Sequence, residues 1–244
     1  MIVYLTSNLG AFYKKNGVRI PKQIGEQNKL LINLKTDWTQ NAKCLFVSGS
    51  PENAEKSSIM KEVYYASFTM SGLSVNRIDT WDISNQNEIN DIRGYDVILL
   101  AGGHVPSQNN FMKIIRLKEK LVGFEGIILG VSAGSMNAAN IVYALPEYDG
   151  ESISPNDERF PEGLGLTEIK IIPHYCEILS SFVDGKNAIE DIAISDSFGK
   201  KFYGIQNGSY IRIKDGKQTL YGEAFIIQDG TIRQVCENEK EILL

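Results

Sequence analysis

Short apolar runs recur in the first 135 residues of the chain. Four of them are rich in Val, Ile, Leu and Phe and lie at residues 2–5, 44–48, 97–101 and 127–131. Ser, Gly or Asn stands at or close after the end of each run. Continuous apolar runs that end in turn-forming residues are typical of strands buried on both faces of a parallel sheet. The pattern therefore predicts four strands of one parallel sheet.

Helix-length segments separate these runs. Residues 51–71 begin after Ser50, which we interpret as an N-cap with Pro51 at the first helical position. One face of this helix would carry apolar residues three or four positions apart, namely Ile59, Val63, Ala66 and Met70. Further helices are predicted over residues 106–121 and over residues 21–34. The first of these, with the strands on either side, predicts a right-handed βαβ unit.

The pattern changes towards the C-terminus. Residues 144–167 are rich in Pro, Gly, Asp and Glu and predict a long surface loop, a kind of segment that is often functional. Short β-type runs follow at residues 201–206, 210–214, 218–221, 224–228 and 231–235. Asp-Gly pairs at 215–216 and 229–230 are strong hairpin signals. We therefore expect a C-terminal antiparallel β-meander over about residues 201–236.

Composition excludes several classes of function. The 244 residues carry a net charge of −5 and are 43% hydrophobic, which suits one α/β domain over residues 1–244 with a sizeable core. An acidic balance gives no basic surface for nucleic acid or an anionic membrane, so neither partner is expected. Three Cys are too few for a disulfide framework. A zinc site would need most of the three Cys and two His in one place, so we expect no metal, and we expect no cofactor. The first residues lack the basic region of a signal peptide, which predicts a cytoplasmic protein.

The most specific local feature is the sequence Gly130-Val131-Ser132-Ala133-Gly134, which matches G-x-S-x-G. An apolar strand runs into it, and residues 135–142 can form a helix after it. A strand–Ser–helix turn presents the hydroxyl at the sheet edge, as in a nucleophile elbow, and the amide of Ala133 would face a developing oxyanion. The alternative is a packing turn made of small residues.

A serine nucleophile needs a base, and His174 is the main candidate. It follows the apolar residues 171–172 and Pro173, at a strand end of the kind where catalytic groups gather in open α/β sheets. We therefore predict that His174 activates Ser132, 42 residues earlier in the chain. The alternative is a strand-end histidine that only packs or forms a hydrogen bond.

A second oxyanion amide is expected from the glycine-rich loop after the strand 97–101. Gly103 is the candidate donor, with Gly102 shaping the turn, because paired glycines let backbone amides approach a ligand closely. An ordinary turn between a strand and a helix is the alternative. His104 lies in the same loop and is expected to contact substrate, to compete with His174 for the role of base, or, as we favour, to orient the loop.

Together, these motifs resemble the dipeptidase E and cyanophycinase family of serine peptidases. The resemblance lies in Gly102-Gly103, in residues 130–135 and in Ile172-Pro173-His174. It implies a flavodoxin-like fold shared with class I glutamine amidotransferases: a three-layer α/β/α sandwich with a mostly parallel sheet, plus C-terminal antiparallel strands. It also implies Ser132 as nucleophile, His174 as base and the amides of Gly103 and Ala133 as the oxyanion hole.

The chain departs from this family in its third catalytic position. Where the family has a Glu in a turn near the C-terminal strands, residues 204–209 place Asn207. Asn can orient a neutral imidazole through its carbonyl oxygen but cannot stabilise the imidazolium by charge. Asn207, Glu147 and Glu177 are therefore the options for the third member. The resemblance also implies that Glu147 meets a substrate amine.

The glycine-rich loop over residues 103–109 is the second departure, because relatives usually carry Gly-Gly-Gly-Asn there. His104 and Gln108 are expected to line the substrate pocket and to change its shape and polarity. Substrate preference is therefore not carried over from the family.

The leading hypothesis is a serine hydrolase, specifically a peptidase that acts on small or acidic peptides. The alternatives are a catalytically weak or inactive ligand-binding homologue and another acyl hydrolase. A glutaminase of the amidotransferase type would need Cys at the elbow, where Ser132 stands. The expected partner is a small molecule or a short peptide, and the oligomeric state stays open, with a homodimer as one option.

Overall fold

A central sheet of eight strands organises the computed structural model, which describes residues 1–153 and 156–244. Its strand order is β16-β13-β12-β1-β7-β6-β4-β5. The strands of this sheet are β1 (Ile2–Thr6), β4 (Ala42–Val47), β5 (Val75–Trp81), β6 (Val97–Leu100), β7 (Ile127–Val131), β12 (Tyr210–Lys214), β13 (Lys217–Tyr221) and β16 (Glu241–Leu243).

Five neighbouring strands of this sheet, β1, β7, β6, β4 and β5, are parallel. Four of them contain the apolar runs that the sequence analysis assigned to a parallel sheet, and that prediction is confirmed. The strands β12, β13 and β16 extend the sheet in antiparallel fashion from β1. Since parallel strands end at the same edge, the carboxyl ends of β1, β4, β6 and β7 lie together.

Helices cover both faces of the sheet. The helices are α1 (Leu30–Asp37), α2 (Ala54–Met70), α3 (Val105–Ile114), α4 (Leu117–Lys120), α5 (Ala133–Asn137), α6 (Asn156–Arg159), α7 (Tyr175–Ile178) and α8 (Ile194–Asp196). Short 3₁₀ segments occupy Gln27–Lys29, Ile83–Asn85 and Glu151–Ile153, and a π-helical segment spans Ala188–Ala193. Among the described residues, no helix combines the length and the apolar character needed to cross a membrane.

Side chains that alternate along the strands build separate cores on the two faces. On one face, Phe46 packs with Tyr64 and Phe68 of α2 and with Leu34 of α1. On the other face, side chains of β4, β6 and β7 pack against α3, α4 and α5; those of Leu45, Ile98 and Ile128 are examples. The predicted three-layer sandwich is therefore confirmed, because a sheet buried on both faces needs a layer on each side.

A second sheet lies beyond the helices of the latter face and shares its core. It consists of β8 (Lys170–Ile172), β11 (Lys201–Ile205), β14 (Ala224–Gln228) and β15 (Thr231–Cys236) in the order β15-β14-β11-β8. Two small hairpins complete the strands: β2 (Phe12–Lys15) with β3 (Val18–Pro21), and β9 (Phe182–Val183) with β10 (Lys186–Asn187).

The C-terminal strands form where the sequence predicts them, but they do not form one meander. The strands β12 and β13 join the central sheet, whereas β11, β14 and β15 join the second sheet. Both predicted hairpins are confirmed: Asp215 and Gly216 link β12 to β13, and Asp229 and Gly230 link β14 to β15. All four turn residues have positive φ, the conformation that a tight hairpin requires.

The predicted helix over residues 51–71 begins later than expected. Asn53, rather than Ser50, caps α2, and its side chain accepts a hydrogen bond from the amide of Lys56 at 2.8 Å. The helix predicted over residues 106–121 is divided into α3 and α4, because Arg116 adopts a left-handed φ of 53°. A residue in that conformation ends one helix and lets the next begin in a new direction.

The prediction of a helix over residues 21–34 is largely wrong. Residues 12–21 form the β2–β3 hairpin, and only α1 is a regular helix in the segment that follows. The helix expected over residues 135–142 is shorter than predicted and ends at Asn137. The predicted loop at 144–167 contains two helical turns and is held to Asp184, whose carboxylate accepts from the amide of Gly150 at 2.6 Å.

A buried carboxylate ties α1 to the central sheet. Asp37 accepts hydrogen bonds from Tyr4 at 2.6 Å, from Lys214 at 2.9 Å and from two nitrogens of Arg212 at 2.6 and 2.8 Å. Its side chain has no exposed surface. Burial raises the pKa of Asp37, but the hydrogen bonds from Tyr4, Arg212 and Lys214 outweigh it, so the pKa lies below its ordinary value.

Candidate active site

Six strand ends, from both sheets, meet at one side of the molecule. The residues that follow β1, β4, β6 and β7 lie at the carboxyl edge of the central sheet, and those that follow β8 and β11 come from two parallel strands of the second sheet. These positions carry Ser7, Gly49, Gly103, Ser132, His174 and Asn207. The fold therefore gathers polar groups that lie up to 200 positions apart in the chain.

Ser132 occupies a strained turn between β7 and α5. Its φ of 49° and ψ of −114° are unusual for a residue with a side chain, and its amide is held by the carbonyl of Thr6 at 3.0 Å. Side chains at Gly130 or Gly134 would overlap Ser135 or the carbonyl of Leu100, respectively. The G-x-S-x-G pattern thus allows the tight turn that exposes the Ser132 hydroxyl.

His174 lies opposite this hydroxyl, at the end of β8. Its Nε2 is 3.1 Å from Ser132 Oγ. The residue has a left-handed φ of 55°, and its amide donates a hydrogen bond to the hydroxyl of Ser7 at 2.8 Å. Ser7 therefore holds the backbone of His174 in the conformation that points the imidazole at Ser132.

Asn207 contacts the other nitrogen of the same ring. Its Oδ1 is 2.6 Å from His174 Nδ1 and also accepts a hydrogen bond from the Ser7 hydroxyl at 3.1 Å. Because a carbonyl oxygen can only accept, Nδ1 carries the proton and Nε2 presents its lone pair to Ser132. Of the three options for the third member, Asn207 is the one whose side chain contacts the His174 imidazole, and the carboxylate of Glu177 accepts a hydrogen bond from Asn207 Nδ2.

The glycine-rich loop lies beside Ser132. A side chain at Gly102 would contact Ser132, and one at Gly103 would overlap the backbone of Gly49. Among the described residues, the amides of Gly103 and Ala133 have no protein acceptor. Both predicted oxyanion amides are thus free to donate to a ligand beside Ser132.

Two cavities of about 390 and 400 Å³ adjoin Ser132 and His174, the residues that their walls share. The first cavity, here called the basic cavity, contains Arg19 and Lys56, and no Asp or Glu among the described residues lines it. The second, here called the apolar cavity, is lined mainly by hydrophobic side chains and by Glu147. A bound molecule could therefore extend from Ser132 in two directions of different charge.

Arg19 reaches the basic cavity from the β2–β3 hairpin. Its guanidinium lies 5.5 Å from the centre of the Phe12 ring, and its Nε is buried without a hydrogen-bond partner among the described residues. Lys56, from the first turn of α2, donates to the hydroxyl of Ser50 at 2.7 Å. Two cations without a neighbouring carboxylate favour an anionic ligand.

Glu147 stands in the wall of the apolar cavity, as a residue that meets a substrate amine would. Crowding by protein raises the pKa of Glu147, and the nearby Glu151 carboxylate raises it further, while His104 acts in the opposite direction.

Among the described residues, no cluster of His, Cys, Asp and Glu is suited to a metal ion.

Gln108 does not line a pocket at the site, contrary to the prediction. It has no exposed surface, its Nε2 donates to the carbonyl of Ala101 at 2.7 Å, and its Oε1 accepts from Asn137 at 3.1 Å. Its predicted position failed because α3 begins at Val105 and turns Gln108 inwards, towards α5. Gln108 therefore braces the glycine-rich loop from inside.

His104 also differs from the predicted substrate contact. Its Nδ1 is 2.9 Å from the Ser107 hydroxyl and its Nε2 is 2.6 Å from Glu151, so both ring nitrogens are occupied. The other oxygen of Glu151 accepts from the amides of Glu147 and Tyr148 at 2.8 and 3.1 Å. His104 thus fastens the segment that carries Glu147 to the glycine-rich loop, which agrees with the expected alternative of loop orientation.

Comparison with known proteins assigns the chain to a family. The family model described as peptidase family S51 matches residues 22–221. The chain belongs to peptidase family S51. The resemblance to dipeptidase E is thereby confirmed, and a peptidase-like hydrolase is the activity that this family supports. A search of curated proteins finds no match.

Two solved structures have a similar fold over nearly the whole chain. A peptidase from an acI-B1 Actinobacterium has a TM-score of 0.65 at 13% identity, and the match covers 100% of this chain and 96% of the other. A protein from Listeria monocytogenes EGD-e, titled as a candidate peptidase E, has a TM-score of 0.55 at 14% identity, with 96% and 98% covered. At these identities the likeness concerns the fold.

Four residues of this candidate site are not among the predicted ones. Ser7 and Gly49 lie within two residues of the end of a buried strand, the same signal that Gly103 and Ser132 carry. Arg19 lies in a hairpin whose turn, Asn16-Gly17, is a recognisable signal. Lys56 has no local signal, because only the packing of α2 beside β4 brings it to the cavity.

Proposed function

We propose that this S51 chain is a serine peptidase that hydrolyses short peptides with an acidic group, using Ser132, His174 and Asn207. The observation that carries the proposal is the chain of contacts from Ser132 Oγ to His174 Nε2 at 3.1 Å and from His174 Nδ1 to Asn207 Oδ1 at 2.6 Å. A hydroxyl becomes an effective nucleophile when a base in the right tautomer is within hydrogen-bond reach.

Hydrolysis then proceeds in two halves. As Ser132 Oγ attacks the peptide carbonyl, its proton passes to His174 Nε2, and the amides of Gly103 and Ala133 donate to the oxyanion. His174 next gives that proton to the departing amine, which leaves an acyl ester on Ser132. Water, deprotonated by His174, attacks the ester and releases the acid, and the proton returns to Ser132.

The charges of the two cavities support the acidic preference. A carboxylate of the peptide would lie between Arg19 and Lys56, while an amino group would lie towards Glu147. Cavities of about 390 and 400 Å³ are at the lower end of the range for small ligands, roughly 300–1,000 Å³, which favours short substrates. The two charged ends would place the bond between them over Ser132.

The test combines active-site labelling with a peptide panel. We expect a fluorophosphonate to label Ser132 at pH 7–8 and the wild type to hydrolyse short acidic peptides faster than neutral ones. Ser132→Ala should lose both properties and keep its folded circular-dichroism spectrum. Ser58→Ala, at an exposed serine of α2, is the matched control and should behave as the wild type. Hydrolysis that survives Ser132→Ala would refute the mechanism.

One observation favours a second candidate function, a ligand-binding homologue with little catalysis. Asn207 is neutral, so it cannot offset the charge of an imidazolium as a carboxylate does. In that case acidic peptides should bind, as seen by calorimetry, while neither labelling nor hydrolysis is detected. The same experiments therefore separate the two functions.

A further inference from the structure

Glu177 lies directly behind the catalytic contacts proposed above. It belongs to the short helix α7, three residues after His174, and its Oε1 accepts a hydrogen bond from Asn207 Nδ2. The polar chain therefore runs from Ser132 through His174 and Asn207 to a carboxylate. Glu177 is exposed and makes no contact with the imidazole that the structure records.

A carboxylate at this place determines which way the Asn207 amide faces. An ionised carboxylate only accepts hydrogen bonds, so the Asn207 NH₂ group must point to Glu177 and its oxygen to His174. The Ser7 hydroxyl, which donates to the same oxygen at 3.1 Å, reinforces this orientation. With the oxygen at Nδ1, the imidazole is held in the tautomer that leaves Nε2 free to accept the proton of Ser132.

The charge of Glu177 also acts through the amide. A negative charge on the NH₂ side draws the amide towards its polar resonance form and makes the oxygen a stronger acceptor, since successive hydrogen bonds polarise one another. We infer that Glu177 is a positioning residue that supplies, through Asn207, the negative charge that the family's acid supplies directly. The inference rests on the proposed function, because it assigns a role within the same site.

The other ionisable groups around His174 stay in the protein when Glu177 alone is substituted. They include Tyr175 and Cys176 on α7, Glu147 in the apolar cavity, and Arg19 and Lys56 in the basic cavity. A shift in the titration of His174 after substitution of Glu177 alone therefore reports the contribution of that carboxylate. Glu125 provides a matched control, since it is exposed and precedes β7 at the opposite edge of the sheet.

The first test measures the effect of removing the charge. We expect Glu177→Gln to lower kcat roughly tenfold with little change in KM, a part of the 10²–10⁴-fold that a general base contributes. The acid limb of the kcat/KM profile should move to lower pH, because loss of the anion makes the imidazolium easier to deprotonate. Glu125→Gln, which removes the same charge elsewhere, should change neither.

A double-mutant cycle with Asn207→Asp gives the decisive comparison. An aspartate at 207 would orient His174 directly but would set two carboxylates against each other at Glu177, which disfavours ionisation of one of them. In that background Glu177→Gln should raise kcat, whereas it lowers kcat with Asn207 present. A residue that only supports α7 would have the same sign in both backgrounds, and that result would overturn the inference.

The pKa of His174, followed by NMR, makes the test independent of turnover. We expect Glu177→Gln to lower this pKa relative to the wild type and to Glu125→Gln. If the protein proves to have no peptidase activity, the proposed function fails while this measurement still decides the inference. An unchanged His174 titration would refute the role of Glu177.

Discussion

Gly49 and Gly103 lie so close together that a side chain on Gly103 would overlap the carbonyl of Gly49, and one on Gly49 would overlap the peptide bond between Gly102 and Gly103. The first follows β4 and the second lies in the loop after β6, two neighbouring parallel strands. This contact fixes the position of Gly103, whose amide is proposed to stabilise the oxyanion. Two backbone segments thus fix the position of the proposed oxyanion donor.

Gly49→Ala is therefore expected to impair catalysis although it changes neither Ser132 nor His174. The added methyl group must displace the loop that carries Gly103, and loss of one oxyanion donor costs about 10²–10³-fold in kcat. Steady-state kinetics on an acidic peptide would measure the loss. Gly94→Ala is the control, because a side chain there has free space; equal kinetics in both variants would contradict the assignment.

Arg19→Gln should weaken the binding of acidic peptides. Removal of one charge-assisted hydrogen bond, about 1.5–3 kcal/mol, raises KM by about 10- to 100-fold for a substrate with a carboxylate. The kinetics of neutral peptides should be unchanged, and the preference for acidic peptides should fall. Lys15→Gln on the same hairpin, outside the cavity, serves as the control. An equal loss for neutral and acidic peptides would argue against charge recognition.

Glu151→Gln should loosen the segment that carries Glu147. Burial raises the pKa of Glu151, but the amides of Glu147 and Tyr148 and the His104 ring lower it more, so the net pKa lies below its ordinary value. A carboxylate with a lowered pKa stabilises the folded segment at neutral pH, and that contribution is lost as the pH falls through the lowered value. Hydrogen exchange of residues 144–153 should therefore be protected at pH 7 in the wild type and less protected in the variant. The difference should disappear in acid, where the wild-type carboxylate is protonated.

Asp37→Asn should lower the free energy of unfolding by about 3 kcal/mol at pH 7, because it removes the buried partner of Arg212 and Lys214. The lowered pKa of Asp37 means that its contribution is present above the ordinary pKa and declines as the pH falls through the lowered one. Urea unfolding at pH 7 and at pH 3 should show a smaller difference at the lower pH. Asp91→Asn, at an exposed carboxylate paired with Arg93, should leave the midpoint unchanged at both values.

Local sequence patterns predict many of the strands and helices, but they do not predict which distant segments pair with each other. The apolar runs that became β1, β4, β6 and β7 could be recognised because strands buried on both faces need continuous apolar sequence. The pairing of β12 with β1, which Tyr210 and Thr6 begin, depends on tertiary contacts that no short pattern contains. For the same reason, the sequence did not indicate that the C-terminal strands belong to two different sheets.

The predicted site divides along the same line. Ser132, His174 and Asn207 follow strand ends, so their neighbourhood was recognisable from sequence and family resemblance. The sequence around Gln108 does not indicate whether its side chain faces solvent or the core. The position at which α3 begins determines that the side chain points inwards. The contact between Glu177 and Asn207 depends on how α7 and the turn after β11 lie in space, and the sequence does not contain that information.

The hydroxyl of Ser7 touches both the amide of His174 and the side chain of Asn207, and so it links the first strand of the chain to a turn near its end. The consequence concerns protein synthesis. While residues beyond 201 are still inside the ribosome, β1 lacks its neighbour β12 and His174 lacks the acceptor for Nδ1. Until Asn207 has left the ribosome, a nascent chain therefore lacks the contact that orients His174 towards Ser132, and the proposed hydrolysis has to wait for synthesis of the strands that flank Asn207.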